Sequence, residues 1–120
     1  MQDYNPPSPT IFGKILSGEI ETEIIYEDDY CIAFRDITPV APTHILIIPT
    51  KYIATINDAT EEDAERLGHL MLAGAAIAKA QGCAEDGYRL VMNCNKDGGQ
   101  SVYHIHLHLI AGRQMTWPPG

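Results

Sequence analysis

Basic side chains are scarce in this 120-residue chain, with eight Lys and Arg against sixteen Asp and Glu and a net charge of -8. Such a surface repels a nucleic-acid backbone, which excludes polymer binding as a main role. A single phosphate ester is still compatible, because local backbone N–H groups can hold one against an unfavourable net charge. Cysteine is sparse as well: Cys31, Cys83 and Cys94 are odd in number and lack CxxC spacing, unlike a disulfide-built secreted scaffold. They read as reduced thiols in a cytoplasm. No apolar run approaches membrane-spanning length, and "MQDYNPPSPT" has neither the basic stretch nor the apolar core of an export signal. A soluble cytoplasmic protein without nucleic-acid or membrane partners is expected.

With 45% apolar residues the chain can bury one modest core, and neither repeats nor a second domain are visible. Residues 1–9 carry Pro6, Pro7 and Pro9 without apolar periodicity, and read as a flexible arm ahead of a domain spanning 10–120. In "TIFGKILSG" Thr10 can cap a short helix, Ile11, Phe12 and Ile15 share a stripe, and Gly18 can end it. The segments "EIIYED", "YCIAFRD" and "HILIIP" predict an antiparallel meander, its second connection stiffened by Pro39 and Pro42. A long helix is predicted over 61–80, opened by a capping box of Thr60 and Asp63. Its stripe of Leu67, Met71, Ala75 and Ala78 is widened by Leu70, Leu72 and Ile77 almost around the helix, more than one sheet can cover. A second subunit is the simplest cover, with Gly68, Ala73, Gly74 and Ala76 permitting close approach. "YRLVMNC" and "YHIHLHLIA" follow as strands, joined by the loop "NKDGGQSV".

Within "SVYHIHLHLI" histidine recurs at every second position, as His104, His106 and His108. Side chains alternate along a strand, so the three imidazoles share one face while Ile105, Leu107 and Leu109 turn to the core. Two chemistries suit such a row. Imidazoles about 7 Å apart along a strand can converge on zinc, although no carboxylate or cysteine flanks them at chelating spacing. Alternatively, one imidazole attacks phosphorus while its neighbours hold charge and protons, which calls for an anion-binding loop nearby. "KDGGQS" can supply it: Gly98 and Gly99 permit positive φ, and consecutive N–H groups there can cup a phosphoryl oxygen. This is no P-loop, since it lacks the GK[ST] ending and leads into a strand. Composition and spacing leave metal and phosphorus chemistry both open.

"HIHLHLI" resembles the His-φ-His-φ-His-φ-φ signature, φ being apolar, of the histidine triad (HIT) superfamily of nucleotide hydrolases and transferases. "TIFGKI", "DITPVAPTHILIIP", "DGGQSVYHIHLH" and "GRQMTWPPG" resemble its Hint branch in particular, in the family's order and over nearly all of residues 10–120. The resemblance implies an α+β fold, a five-stranded antiparallel sheet with one short and one long helix, assembled as a two-fold homodimer. In that dimer the tail around Trp117 approaches the partner's site. It also implies a hydrolase that needs no metal or other cofactor and cleaves the P–N bond of purine nucleoside 5'-phosphoramidates, giving AMP or GMP and an amine. The alternatives are a zinc-binding or regulatory interaction module, or a dinucleoside polyphosphate hydrolase of the same superfamily. The Fhit branch, which performs the latter cleavage, lacks the Ser-Val-Tyr lead-in and the Trp-Pro-Pro-Gly tail.

Carried onto this chain, the resemblance makes His106 the nucleophile that forms a nucleotidyl-histidine intermediate. His108 and the Gly99 loop hold the phosphate, and Ser101 lies near the leaving nitrogen. His104 and His44 are supporting histidines. Asp36 and Ile37 match ribose and base positions, Asn93 a polar contact near phosphate and ribose, and Ile11 and Phe12 the wall around the base. His69 has no counterpart in the motifs and reads as an ordinary helix residue; the three cysteines receive no catalytic role.

Overall fold

The computed structural model describes residues 9–120; apart from Pro9, the expected N-terminal arm lies outside the described residues. Thr10 caps α1 (Ile11–Ser17), its hydroxyl accepting from the Gly13 N–H, and Gly18 ends the helix at φ 84°, where glycine meets no Cβ strain. The chain returns through β1 (Tyr26–Glu27), β2 (Cys31–Arg35) and β3 (Thr43–Pro49) to the long helix α2 (Ala64–Ala80). It ends with β4 (Tyr88–Val91), a four-residue helix α3 (Asn95–Gly98) and β5 (Leu107–Ala111). All strand pairs are antiparallel, in one five-stranded sheet ordered β1-β2-β3-β5-β4. The expected α+β architecture is present, with α3 as an addition where a plain loop was the reading of "NKDGGQSV".

Alternation divides the sheet into two working faces. Ile45 and Ile47 of β3 and Leu107 and Leu109 of β5 join Leu70, Ala73, Ile77 and Ala78 of α2 in one core. On the opposite face Leu46 and Ile48 pack with Ile32, Phe34 and Phe12 of α1. Cross-strand partners share a face, and Leu46 pairs with His108 while His44 pairs with Ile110, so both histidines fall on the α1 side. The two helices therefore have different tasks: α2 covers the core, and α1 faces the polar side chains.

Of the stripe expected from Leu67, Met71, Ala75 and Ala78, Ala78 is buried and Leu67 packs at the core's edge, but the buried face is centred elsewhere. It consists of Leu70, Ala73, Gly74, Ile77 and Ala78, while Met71 is 50% and Leu72 70% exposed. Gly74 explains the choice of face: a Cβ there would sit 3.1 Å from Leu90 Cδ2, so the helix backbone itself rests on the sheet. Ala73 and Gly74 thus serve contact with the chain's own sheet, and of the four small residues only Gly68 and Ala76 face outward. The capping box at Thr60 and Asp63 forms as expected, but on a 3-10 turn (Glu61–Asp63) that precedes the α-helix. Asp63 also accepts from Lys51 Nζ and Arg66 Nη1, each at 2.8 Å, tying the turn to the chain leaving β3. Among the described residues no helix is long and apolar enough to cross a membrane.

Candidate active site

The histidine row departs from the strand expected of it. β5 begins only at Leu107, so His108 stands in the ladder and His104 and His106 precede it. The Ile105 N–H donates instead to the Ile53 carbonyl at 2.8 Å, outside the sheet. The face is preserved all the same. Ile105, Leu107 and Leu109 are buried in the α2 core, while His106 and His108 line a cavity of about 410 Å³ on the α1 side. His104 is fully buried and is not among the cavity-lining residues.

Backbone carbonyls, one backbone N–H and one ring-to-ring bond fix which ring nitrogen carries each proton. His106 Nδ1 lies 2.9 Å from the His104 carbonyl, and a carbonyl only accepts, so Nδ1 holds the proton and Nε2 keeps its lone pair. His104 donates in the same way from Nε2 to the Pro49 carbonyl at 3.1 Å. His44 Nδ1 accepts from the Val40 N–H at 3.2 Å, which leaves its Nε2–H to donate. That nitrogen is 2.9 Å from His108 Nδ1 and 3.5 Å from Asp36 Oδ2, so the hydrogen bond goes to His108. His108 Nδ1 is therefore an acceptor, and its Nε2–H is a donor. One ring of the cavity wall presents a lone pair and the next presents a proton.

Burial keeps the three triad rings, His104, His106 and His108, from taking up a proton at neutral pH. Burial lowers the pKa of His106, and the hydrogen bond to the His104 carbonyl and the Asp36 charge only partly oppose it. His108 is pushed down to about 4 by burial and then by His106 and His44. His104 is lowered chiefly by burial. The Phe12 ring stands edge-on to His106 with centroids 4.9 Å apart, carrying α1 directly onto the imidazole.

The remaining cavity wall suits a flat apolar ring joined to something polar. Ile11, Phe12 and Ile15 of α1 face Phe34 and Leu46 of the sheet, and Asp36, Ile37 and Ser101 stand with the histidines. Asp36 Oδ1 accepts from the Thr38 N–H at 2.8 Å, opening the proline loop. Ile37 is 93% exposed, a lip over the cavity. Asn93, Gly99 and His44 are not among its lining residues; His44 acts from behind, through His108. Gly98 ends α3, and Gly99 alone of the pair takes positive φ, 81°. The expected N–H cup is absent at its centre, because Gly99 N–H is engaged by the Lys96 carbonyl and Gln100 N–H by the Asn95 carbonyl.

Sequence reasoning passed over Gln100. It is 7% exposed; its amide donates to the Ala54 and Val102 carbonyls at 2.8 and 3.0 Å and accepts from the Asn95 N–H at 2.9 Å. This one side chain ties α3 and the approach to Ser101 onto the loop after β3. A glutamine beside two glycines carries no local signal of such burial. His69 was underrated too: its Nε2 lies 2.6 Å from Asp28 Oδ2.

A small α+β scaffold that sets an uncharged imidazole lone pair and an imidazole N–H side by side in a nucleotide-sized cavity defines a histidine-based phosphoryl-site protein. Comparison with known proteins makes this specific: the chain belongs to the HIT domain family, which matches residues 17–115. It is 56% identical to the purine nucleoside phosphoramidase of Escherichia coli K12 over 106 residues, 88% of this chain and 89% of that protein. An uncharacterised HIT-like protein of Synechococcus elongatus is 55% identical over 111 residues, 92% of this chain and 96% of that one. The crystal structure of a HIT family hydrolase from Legionella pneumophila superposes with a TM-score of 0.89 at 57% identity, covering 92% and 98% of the two chains.

Proposed function

We propose that the protein hydrolyses purine nucleoside 5'-phosphoramidates through a nucleotidyl intermediate on His106. The observation that carries this is the His106 tautomer: with Nδ1–H held by a carbonyl, Nε2 is a nucleophile that needs no base to deprotonate it. Attack on phosphorus forms the N–P bond and breaks the bond to the amine, whose nitrogen takes a proton from solvent as it leaves, a proton that the attacking water later gives back. The Ser101 hydroxyl, at the cavity mouth, stabilises or relays that proton. Water then attacks the nucleotidyl-imidazole, its oxygen staying on phosphorus, and His106 is regenerated. The His108 Nε2–H answers the charge that builds on the non-bridging oxygens. Asp36 serves the ribose hydroxyls, the α1 wall and Ile37 the base, and Asn93 and the Gly99 turn support the phosphate side from outside the cavity. The purine preference rests on the E. coli relative.

The test is turnover of an adenosine 5'-phosphoramidate under chelator. AMP and amine should be released, and His106→Gly should abolish turnover. Activity that survives this substitution, or that chelator removes, overturns the mechanism. The chelator matters because Asp36, His44 and His108 offer ligand atoms within 4.8 Å of one another, the arrangement a zinc-binding module would use.

The proposal extends to a homodimer and to a cytoplasmic setting, with residues 10–120 as one functional unit. Exposed Met71 and Leu72 on α2 favour a second copy as the cover of that face. Trp117, 81% exposed, lies on the tail that would reach the partner's site. Light scattering should give twice the chain mass, and Leu72→Glu should halve it.

A further inference from the structure

The β1–β2 turn, β2 and α2 bring together three chemically different donors that the phosphoryl site does not use. Asp28, Cys31 and His69 each place one ligand atom within 4.8 Å of the other two. Asp28 Oδ1 is 3.5 Å from Cys31 Sγ, and Asp28 Oδ2 is 2.6 Å from His69 Nε2. Cys31 is fully buried, whereas the His69 and Asp28 side chains are 31% and 25% exposed, so solvent reaches the cluster from the α2 side. Tyr30 lays its ring against His69, with centroids 4.5 Å apart, and the Tyr26 hydroxyl donates to Asp28 at 3.0 Å. Both contacts orient the donors from outside, as supporting groups do around a metal.

We propose that Asp28, Cys31 and His69 form a zinc site that clips the β1–β2 turn to α2, separate from the His106 site. One sulfur, one nitrogen and one oxygen make a donor set that zinc accepts and that calcium and magnesium do not. Zinc–ligand bonds of about 2.0–2.3 Å place neighbouring donors about 3.3–3.8 Å apart: the Asp28–Cys31 pair already fits at 3.5 Å, the Asp28–His69 pair must open from 2.6 Å, and water takes the fourth position. Binding displaces the Cys31 thiol proton to solvent and moves the His69 proton from Nε2 to Nδ1. The thiol is pushed up to about 12 by burial and the Asp28 carboxylate; zinc must overcome that resistance, so binding strengthens as pH rises.

The test uses the full chain, stripped with chelator and titrated with Co2+ as a spectroscopic stand-in for zinc. Stoichiometric binding with a thiolate-to-cobalt charge-transfer band is expected, lost in Cys31→Ser and in His69→Gln. It should persist in His108→Asn, which dismantles the Asp36, His44 and His108 group. Zinc should raise the thermal midpoint of the parent chain and leave that of His69→Gln unchanged. Position 69 is partly exposed, so this variant keeps the test open if Cys31→Ser does not fold. Absence of the band in the parent chain, its survival in His69→Gln, or its loss in His108→Asn overturns the proposal. None of these readouts depends on phosphoramidate turnover.

Discussion

A carbonyl oxygen accepts hydrogen bonds and never donates them, and at His106 that asymmetry decides which nitrogen can act as a nucleophile. The folded protein lowers the His106 pKa from 6.5, with burial the largest cause and Asp36 acting in the opposite direction. Protonation of Nε2 removes the nucleophile, so kcat/KM should be flat at neutral pH and fall only below pH 6.5. Asp36→Asn removes a charge that favours the imidazolium. The acid limb should therefore move to lower pH, while KM rises through the lost ribose contact. A pH profile of both variants checks this, and an unmoved or raised limb contradicts the assignment. Gln100 acts at the same scale from behind the cavity wall, where its amide holds the carbonyl of the wall residue Val102. Gln100→Ala leaves the Asn95 N–H and two carbonyls without their partner, a loss of about 1–3 kcal/mol in stability by denaturant titration.

At the scale of elements, α1 links a sequence signal to the site. The Thr10 cap and the Gly18 terminator were both readable in "TIFGKILSG", because capping is local chemistry. Replacing Thr10 with alanine removes the acceptor for the Gly13 N–H and should cost about 0.5–2 kcal/mol in unfolding free energy. Since α1 carries Phe12 onto His106, KM should rise in Thr10→Ala more than kcat falls. The antiparallel strands were equally legible from their β-branched residues and proline-stiffened loop. The end of the histidine row was not, since Ile105 leaves the ladder for the Ile53 carbonyl, a partner 52 positions away in sequence. The α2 stripe was misread for a related reason: periodicity shows that the helix is apolar widely around, and only Gly74 resting against Leu90 selects the face. The same limit applies to "KDGGQS", where glycine pairs signal a turn but not which N–H groups that turn engages internally.

For the whole molecule, the buried imidazoles tie the site to the stability of the fold. His104, His106 and His108 have folded pKa values below the 6.5 of an unfolded histidine. Between the two values the unfolded chain binds more protons, so stability rises with pH across that interval. The contribution is complete above pH 6.5 and is lost as pH falls towards the value of about 4 for His108. Asp28 acts in a separate, lower window. Burial alone would raise its carboxyl, but hydrogen bonds from His69, Tyr30, Tyr26 and Cys31 hold it at about 2 instead of 3.8. Its contribution persists above 3.8 and disappears towards 2. The denaturant midpoint, followed from neutral to acid pH, should therefore drop in two stages. His108→Asn should flatten the upper stage and leave the lower one in place, whereas Asp28→Asn should do the reverse. A single transition governed by carboxylates alone would mean that the histidines titrate normally in the folded state. In that case the uncharged lone pair on which His106 depends at neutral pH would no longer be secured by burial.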